Sequence, residues 1–163
     1  MTKDLEHTFF CDRMAGSLCK YIRFMGYDCR SANDLPSGNP REDTDILKIA
    51  RKEKRYILTQ DVELAHRGGD YAVRLDSSDL AGQIRQLYEA GLINPQIRLT
   101  RCSRCNVLLH EGSPPGDPPV SIIPDDTPLV YCPVCNRQYW EGTHTRNMRN
   151  QLAQMLEPSN NKI

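Results

Sequence analysis

Residues 7–26, HTFFCDRMAGSLCKYIRFMG, read as a strand, a turn and a helix. His7 to Cys11 is a short β-rich run that stops at Asp12, and Met14, Leu18, Ile22 and Met25 then recur at helical spacing until Gly26 ends the pattern. The unit repeats along the chain. Tyr27 to Ser31 suits a second strand, and the segment DLPSGNP at 34–40 is a loop by its proline and glycine content. Asp43 to Lys54 is amphipathic, with Ile46, Leu47 and Ala50 on one face. Tyr56 to Thr59 is an apolar strand ending on Gln60-Asp61, and a short helical stretch follows to His66 before the break at Arg67-Gly68-Gly69. A last strand, Tyr71 to Leu75, leads through Asp76-Ser77-Ser78-Asp79 into a helix striped by Leu80, Ile84, Leu87 and Tyr88 and closed by Gly91. Strands that alternate with helices need crossover connections, so the fold class is α/β with a mainly parallel sheet covered on both faces.

Asn94-Pro95 ends the last of these helices. From about residue 98 the chain changes character, with paired cysteines, many prolines and little periodicity. The expected organisation is therefore an α/β domain over 1–97, a small cysteine-bearing unit with a terminal helix (Thr143 to Leu156) over 98–156, and a disordered tail over 157–163. A length of 163 residues suits one domain of about 100 residues with an appendage. The 21 basic residues are matched by 21 acidic ones, and neither half is globally basic. A nucleic-acid ligand would have to be held by local patches or by metal ions rather than by bulk charge. The first ten residues carry no apolar run of signal-peptide length and nothing approaches a membrane span, which leads us to expect a cytoplasmic protein without a membrane partner.

In that compartment thiols stay reduced, so the seven cysteines argue for metal or free thiols before disulfides. Cys102 and Cys105 in RCSRCN, and Cys132 and Cys135 in YCPVCN, form two Cys-x-x-Cys turns separated by 26 residues, a span that suits a hairpin bringing both turns together. Four thiolates fill a tetrahedral shell and leave no position for water, so a structural zinc ion is expected there, with an iron centre as the competitor. Cys11, Cys19 and Cys29 are left over and read as small buried apolar residues. Around the metal turns, Arg101, Arg104, Arg137, Tyr139, Trp140, His144, Arg146 and Arg149 supply cations and rings. Arg137, Trp140 and Arg146 are candidates to grip phosphates and bases, although the rings could equally be the small core that a ribbon needs.

Ligands of open parallel sheets bind beyond the carboxyl ends of the strands, where strand order reverses. Asp12 and Asp61 each follow a predicted strand, and Asp43 and Asp45 open the helix before the strand at Tyr56. Carboxylates gathered on one rim repel unless a Mg²⁺ or Mn²⁺ ion lies between them, and such a cation suits phosphodiester hydrolysis. Each acid also has a plainer use as a helix cap, Asp79 among them.

Asp12-Arg13-Met14 followed by Gly16, Leu18, Ile22-Arg23 and Gly26-Tyr27-Asp28, then Asp43, the ILKIA segment at 46–50 and Leu58-Thr59-Gln60-Asp61, resemble the mutator-seven C-terminal RNase domain family. That family is a branch of the PIN-like nucleases, and the likeness continues through RCSRCN and CPVCNRQYWEGTH, over roughly residues 8–150. The resemblance implies a PIN-like three-layer α/β/α sandwich with a C-terminal zinc ribbon and RNA as substrate. It carries a divalent-metal role onto Asp12, Asp43 and Asp61, with Asp45 as a catalytic neighbour. The family commonly has Leu-Gly where Ala15-Gly16 stands here, and Arg where Gln60 stands. The expected function is a metal-dependent ribonuclease in which Asp12, Asp43, Asp45 and Asp61 serve catalysis and Arg13, Arg23, Arg137, Trp140 and Arg146 contact substrate. The alternative is a non-catalytic adaptor that binds RNA or the ribosome, with tRNA a further candidate partner. A third reading, a protein-interaction module of a nuclease complex, fits the neutral net charge.

Overall fold

Phe9, Phe10 and Cys11 have no exposed surface, which a three-residue strand achieves only at the centre of a sheet covered on both sides. The computed structural model describes residues 5–119, 122–124 and 126–158. Most of the expected tail, residues 159–163, lies outside them. The strand β1 (Phe9–Cys11) pairs in parallel with β2 (Cys29–Ser31) on one side and β3 (Tyr56–Thr59) on the other, and β4 (Ala72–Arg74) adds in parallel to β3. The order β2-β1-β3-β4 reverses direction at β1.

Side chains on a strand alternate between faces, and the two cores divide accordingly. Phe9, Cys11, Cys29 and Leu58 pack with α1 (Gly16–Phe24) and α4 (Leu80–Glu89), while Phe10 and Ile57 pack with α2 (Glu42–Glu53) and with Leu64 of α3 (Val62–Gly68). These are the three layers of an α/β/α sandwich. Two details differ from the sequence pattern. A 3₁₀ turn over Arg13–Ala15 precedes α1, so Met14 leaves the stripe and is 82% exposed. Tyr27 lies outside β2, with its hydroxyl accepting a hydrogen bond from the Asn94 backbone at 2.7 Å. Gly26 does more than stop the helix. Its φ of 94° favours glycine, and a Cβ there would meet Thr100 Oγ1 at 2.9 Å, so only glycine lets the incoming linker pass.

The C-terminal part is a three-stranded antiparallel sheet, β5 (His110–Glu111), β6 (Leu129–Tyr131) and β7 (Gln138–Trp140), followed by α5 (Thr143–Leu156). Composition changes at residue 98, but packing does not. Cys102, Cys132, Tyr139, Met148 and Leu152 belong to the same buried cluster as Leu18, Ile22, Phe24 and Leu87. Polar groups tie the two parts as firmly. Arg23 is only 4% exposed; its guanidinium donates to the carbonyls of Cys29 (2.8 Å), Ser103 and Arg104 (3.1 Å each), and it also pairs with Asp34. Asn106 accepts from the Cys29 backbone at 2.9 Å and donates to Asp28 at 2.8 Å. Asp28 in turn is gripped by both terminal nitrogens of Arg55, at 2.7 and 3.1 Å.

Asn106 therefore holds the first cysteine turn to the edge of β2 while sitting in the left-handed region at φ 65°. Replacing it with alanine removes two hydrogen bonds worth about 1 kcal/mol each and adds roughly 1 kcal/mol of backbone strain. Asn106→Ala should lower unfolding free energy by about 2–3 kcal/mol on these values, with one denaturant transition whether followed by tyrosine or by Trp140 fluorescence. Two separated transitions would mean that the two parts fold independently.

Candidate functional site

The reversal of strand order opens a crevice between the carboxyl ends of β1 and β3, and the residues after those strands are Asp12 and Gln60-Asp61. Asp12 accepts from the Arg13 backbone at 2.7 Å through Oδ1 and from the Thr59 hydroxyl at 2.7 Å through Oδ2. Thr59 has no exposed surface, and its hydroxyl oxygen also accepts from the Asp61 backbone at 3.0 Å. One buried hydroxyl thus sets the spacing between the two acidic positions. Asp61 caps α3 by accepting from the Leu64 backbone at 2.7 Å. Asp79 likewise caps α4.

The third acid comes from the first turn of α2. Burial pushes the Asp43 carboxyl up, and the charges of Asp12 and Asp61 push it the same way, against Arg67. Asp43 therefore sits within the field of both other aspartates. No three carboxylates lie within 4.8 Å of one another among the described residues, so the group is looser than a closed cage. Oxygen donors on three separate segments whose charges act on Asp43 are the donor type that a hard divalent cation takes. Such an ion lends acidity to a coordinated water and polarises a phosphate oxygen.

Asp45 does not join them. Residues two apart on a helix point about 200° apart, and Asp45 accepts from the Asn39 side chain at 2.7 Å in a separate groove with Leu35, Pro36 and Lys48. Arg13 turns toward α2, where it pairs with Glu42 and donates to the Ala32 carbonyl at 3.0 Å. Arg23, expected as a phosphate contact, is spent on the ribbon carbonyls described above and presents almost no surface. Two contributors escaped the sequence reading. Thr59 read as an ordinary strand residue and Arg67 as part of a helix break, yet Arg67 supplies a cation facing Asp43, with its guanidinium donating to Thr44 at 3.0 Å. The Thr-x-Asp spacing of Thr59 and Asp61 was no signal by itself, because its partner Asp12 lies 47 residues away. Placing Arg67 required knowing that α2 and α3 pack side by side.

The four paired cysteines form two matching loops. In each, the residue after the second cysteine is an asparagine in the left-handed region, Asn106 at φ 65° and Asn136 at φ 63°. The loops close alike, Asn106 to the Cys102 carbonyl and Asn136 to the Cys132 carbonyl, both at 2.9 Å. Backbone N–H groups point at sulfur: Cys105 at Cys102 (3.3 Å), and Val134 and Cys135 at Cys132 (3.4 Å each). All four sulfurs lie within 4.8 Å of one another, so the cluster could hold a zinc ion. Burial opposes ionisation of Cys102, but the Tyr139 hydroxyl and the backbone N–H groups of Cys105 and Arg104 outweigh it and bring the thiol to about 7. Burial and the neighbouring sulfurs push Cys105 up to about 12. A set of thiols that resists full ionisation alone is relieved by a divalent cation at its centre.

Arg137, Trp140 and Arg146 line one cavity of about 680 Å³ together with Lys20, Phe24 and His144. The turn after Trp140 depends on Gly142, where a Cβ would meet the indole nitrogen at 3.0 Å, and Thr145 closes the turn with its hydroxyl on the Gly142 backbone at 2.9 Å. Tyr139 is core, 8% exposed, and stacks edge-on against Phe24. Lys20 and Arg137 also line a second cavity of about 280 Å³, which reaches Asn33, whose side chain bonds the Arg13 carbonyl beside Asp12. Arg149 is held by Glu141, and Arg101 by the Asn106 and Gly26 carbonyls.

No helix among the described residues is long and apolar enough to cross a membrane. No curated protein and no solved structure matches the chain. The model of the Mut7-C RNAse domain matches residues 7–152, a span that takes in the aspartate crevice, both cysteine loops and most of α5, and the chain belongs to that family.

Proposed function

We propose that the chain is a metal-dependent ribonuclease whose cation, Mg²⁺ or Mn²⁺, is held by Asp12, Asp43 and Asp61, with zinc as the structural ion of Cys102, Cys105, Cys132 and Cys135. The observation that carries the reading is the placement of three aspartates from three segments around the crevice where strand order reverses, with Asp43 raised by burial and by the charges of both others. Family membership supports RNA as the substrate. In this reading Thr59 and the backbone of Arg13 hold Asp12 in register, the cap on α3 holds Asp61, and Arg67 balances charge beside Asp43. Arg137, Trp140 and Arg146 guide the RNA strand along the larger cavity, and Lys20 and Arg137 continue that path toward Asn33. Asp45 and Arg23 have no part in it, and Arg13 acts through Glu42 rather than on a phosphate. The domain division at 97/98 becomes one of composition, with catalysis before it and substrate guidance after it. The capping bonds of Asp12 and Asp61 favour one competitor, an adaptor that binds RNA or ribosome without cutting it.

Labelled single-stranded RNA incubated with Mn²⁺ separates the two. Asp12→Asn and Asp61→Asn should keep their capping oxygens and the fold but cut at least about 100-fold more slowly, on the scale of losing an electrostatic catalytic group. Cleavage equal to the parent would sink the site, and RNA binding without cleavage by the parent would favour the adaptor.

Protons compete with the cation at Asp43. Because its carboxyl titrates above the ordinary aspartate range, Mn²⁺ affinity should weaken as pH falls through that raised value, and Arg67→Ala should move the weakening to higher pH by removing a cation that lowers it. Mn²⁺ titrations at several pH values check this. A shift to lower pH in the variant would count against Arg67 facing the site.

RNA affinity should fall with salt, and Arg137→Ala or Arg146→Ala should each flatten the logarithmic slope by about 0.7, the value for one single-strand phosphate contact. An unchanged slope would return those arginines to the solvated surface.

A further inference from the structure

We propose that Cys11, Cys19 and Cys29 form a second metal site, a three-sulfur pocket for monovalent copper. The three residues come from three different elements, the end of β1, the middle of α1 and the start of β2, and are 0%, 2% and 0% exposed. Their sulfurs face one another: Cys11 to Cys29 at 3.5 Å, Cys29 to Cys19 at 3.4 Å, and all three within 4.8 Å. The Cys19 sulfur also lies 3.7 Å from the Cys29 carbonyl and 3.9 Å from that of Arg30, and the Cys29 sulfur 3.6 Å from the latter, longer contacts than those that join the sulfurs of three independent side chains.

The donor set selects the ion. Thiolates favour soft metals, with zinc and monovalent copper the common choices. Zinc in a closed site takes four ligands, and among the described residues no fourth His, Cys, Asp or Glu joins these three. Monovalent copper is satisfied by two or three sulfurs. The negative charge that sulfur donors bring is offset by Arg23, whose Nε donates to the Cys29 carbonyl at 2.8 Å and whose charge acts on both Cys19 and Cys29.

There is also a way in. Cys19 lines the cavity of about 280 Å³ between the sandwich and the ribbon, alongside Lys20, Ser103 and Arg104. Binding moves no electron. Copper–sulfur bonds form, and the displaced thiol protons leave to solvent through that cavity. The site stands whether or not the chain cleaves RNA.

The test uses the full chain, loaded with zinc and kept free of oxygen, titrated against Cu⁺ held by the coloured chelator bicinchoninate. The parent should withdraw one equivalent of Cu⁺ with its zinc content unchanged, and Cys19→Ala and Cys29→Ala should each lose that equivalent while retaining zinc and a cooperative melt. Should the Cys29 variant fail to fold, Cys19→Ala at the cavity edge decides alone, and X-ray absorption of the parent should show copper with sulfur neighbours only. Absence of uptake by the parent, uptake undiminished in Cys19→Ala, release of zinc in step with copper, or nitrogen and oxygen neighbours at copper would each overturn the site.

Discussion

A guanidinium persists in a protein interior only if its N–H groups are met, because an unpartnered buried charge costs several kcal/mol. Arg23 meets that condition by drawing on three regions at once: the carbonyl of Cys29 at the edge of the sheet, the carbonyls of Ser103 and Arg104 in the first cysteine loop, and the carboxylate of Asp34. If any one of them moves, a guanidinium N–H loses its partner. The position of the ribbon against the sandwich is therefore set by hydrogen-bond satisfaction as much as by apolar contact. The cysteine loop can offer those carbonyls only while its own backbone is held in shape.

That dependence links the cysteine loops to the geometry of the aspartate crevice without any direct contact between them. The cysteine loops orient the Ser103 and Arg104 carbonyls and the Asn106 side chain, Asn106 fixes the start of β2, and β2 flanks the strand that leads into Asp12. Thr59 performs the corresponding task on the other side, joining Asp12 to the backbone of Asp61. The two acidic positions are held from both flanks by groups that do no chemistry.

Much of this was legible in the order of residues. The repeated strand-turn-helix pattern set the parallel sheet, and an acid directly after a strand marked Asp12 and Asp61, because that is where a parallel sheet opens. Asp43 and Asp45 could not be separated until the docking of α2 against the sheet was known, since only one of two residues so spaced can face the crevice. Arg23 shows the limit of local pattern. A cation beside Ile22 reads as solvent-facing, and only a loop 80 residues away turns it inward. Arg67 was hidden in the same manner by the packing of α3 on α2, and Thr59 by a partner 47 residues distant.

The strand order has a kinetic meaning as well. The earliest strand of the chain lies in the interior of the sheet, and its second neighbour begins only at Tyr56. The face of α1 that bears Phe24 must wait longer still, for Tyr139 and His144. During synthesis, then, some of the most apolar surface is made first and covered last. Until then that surface is of the aggregation-prone kind that folding intermediates expose.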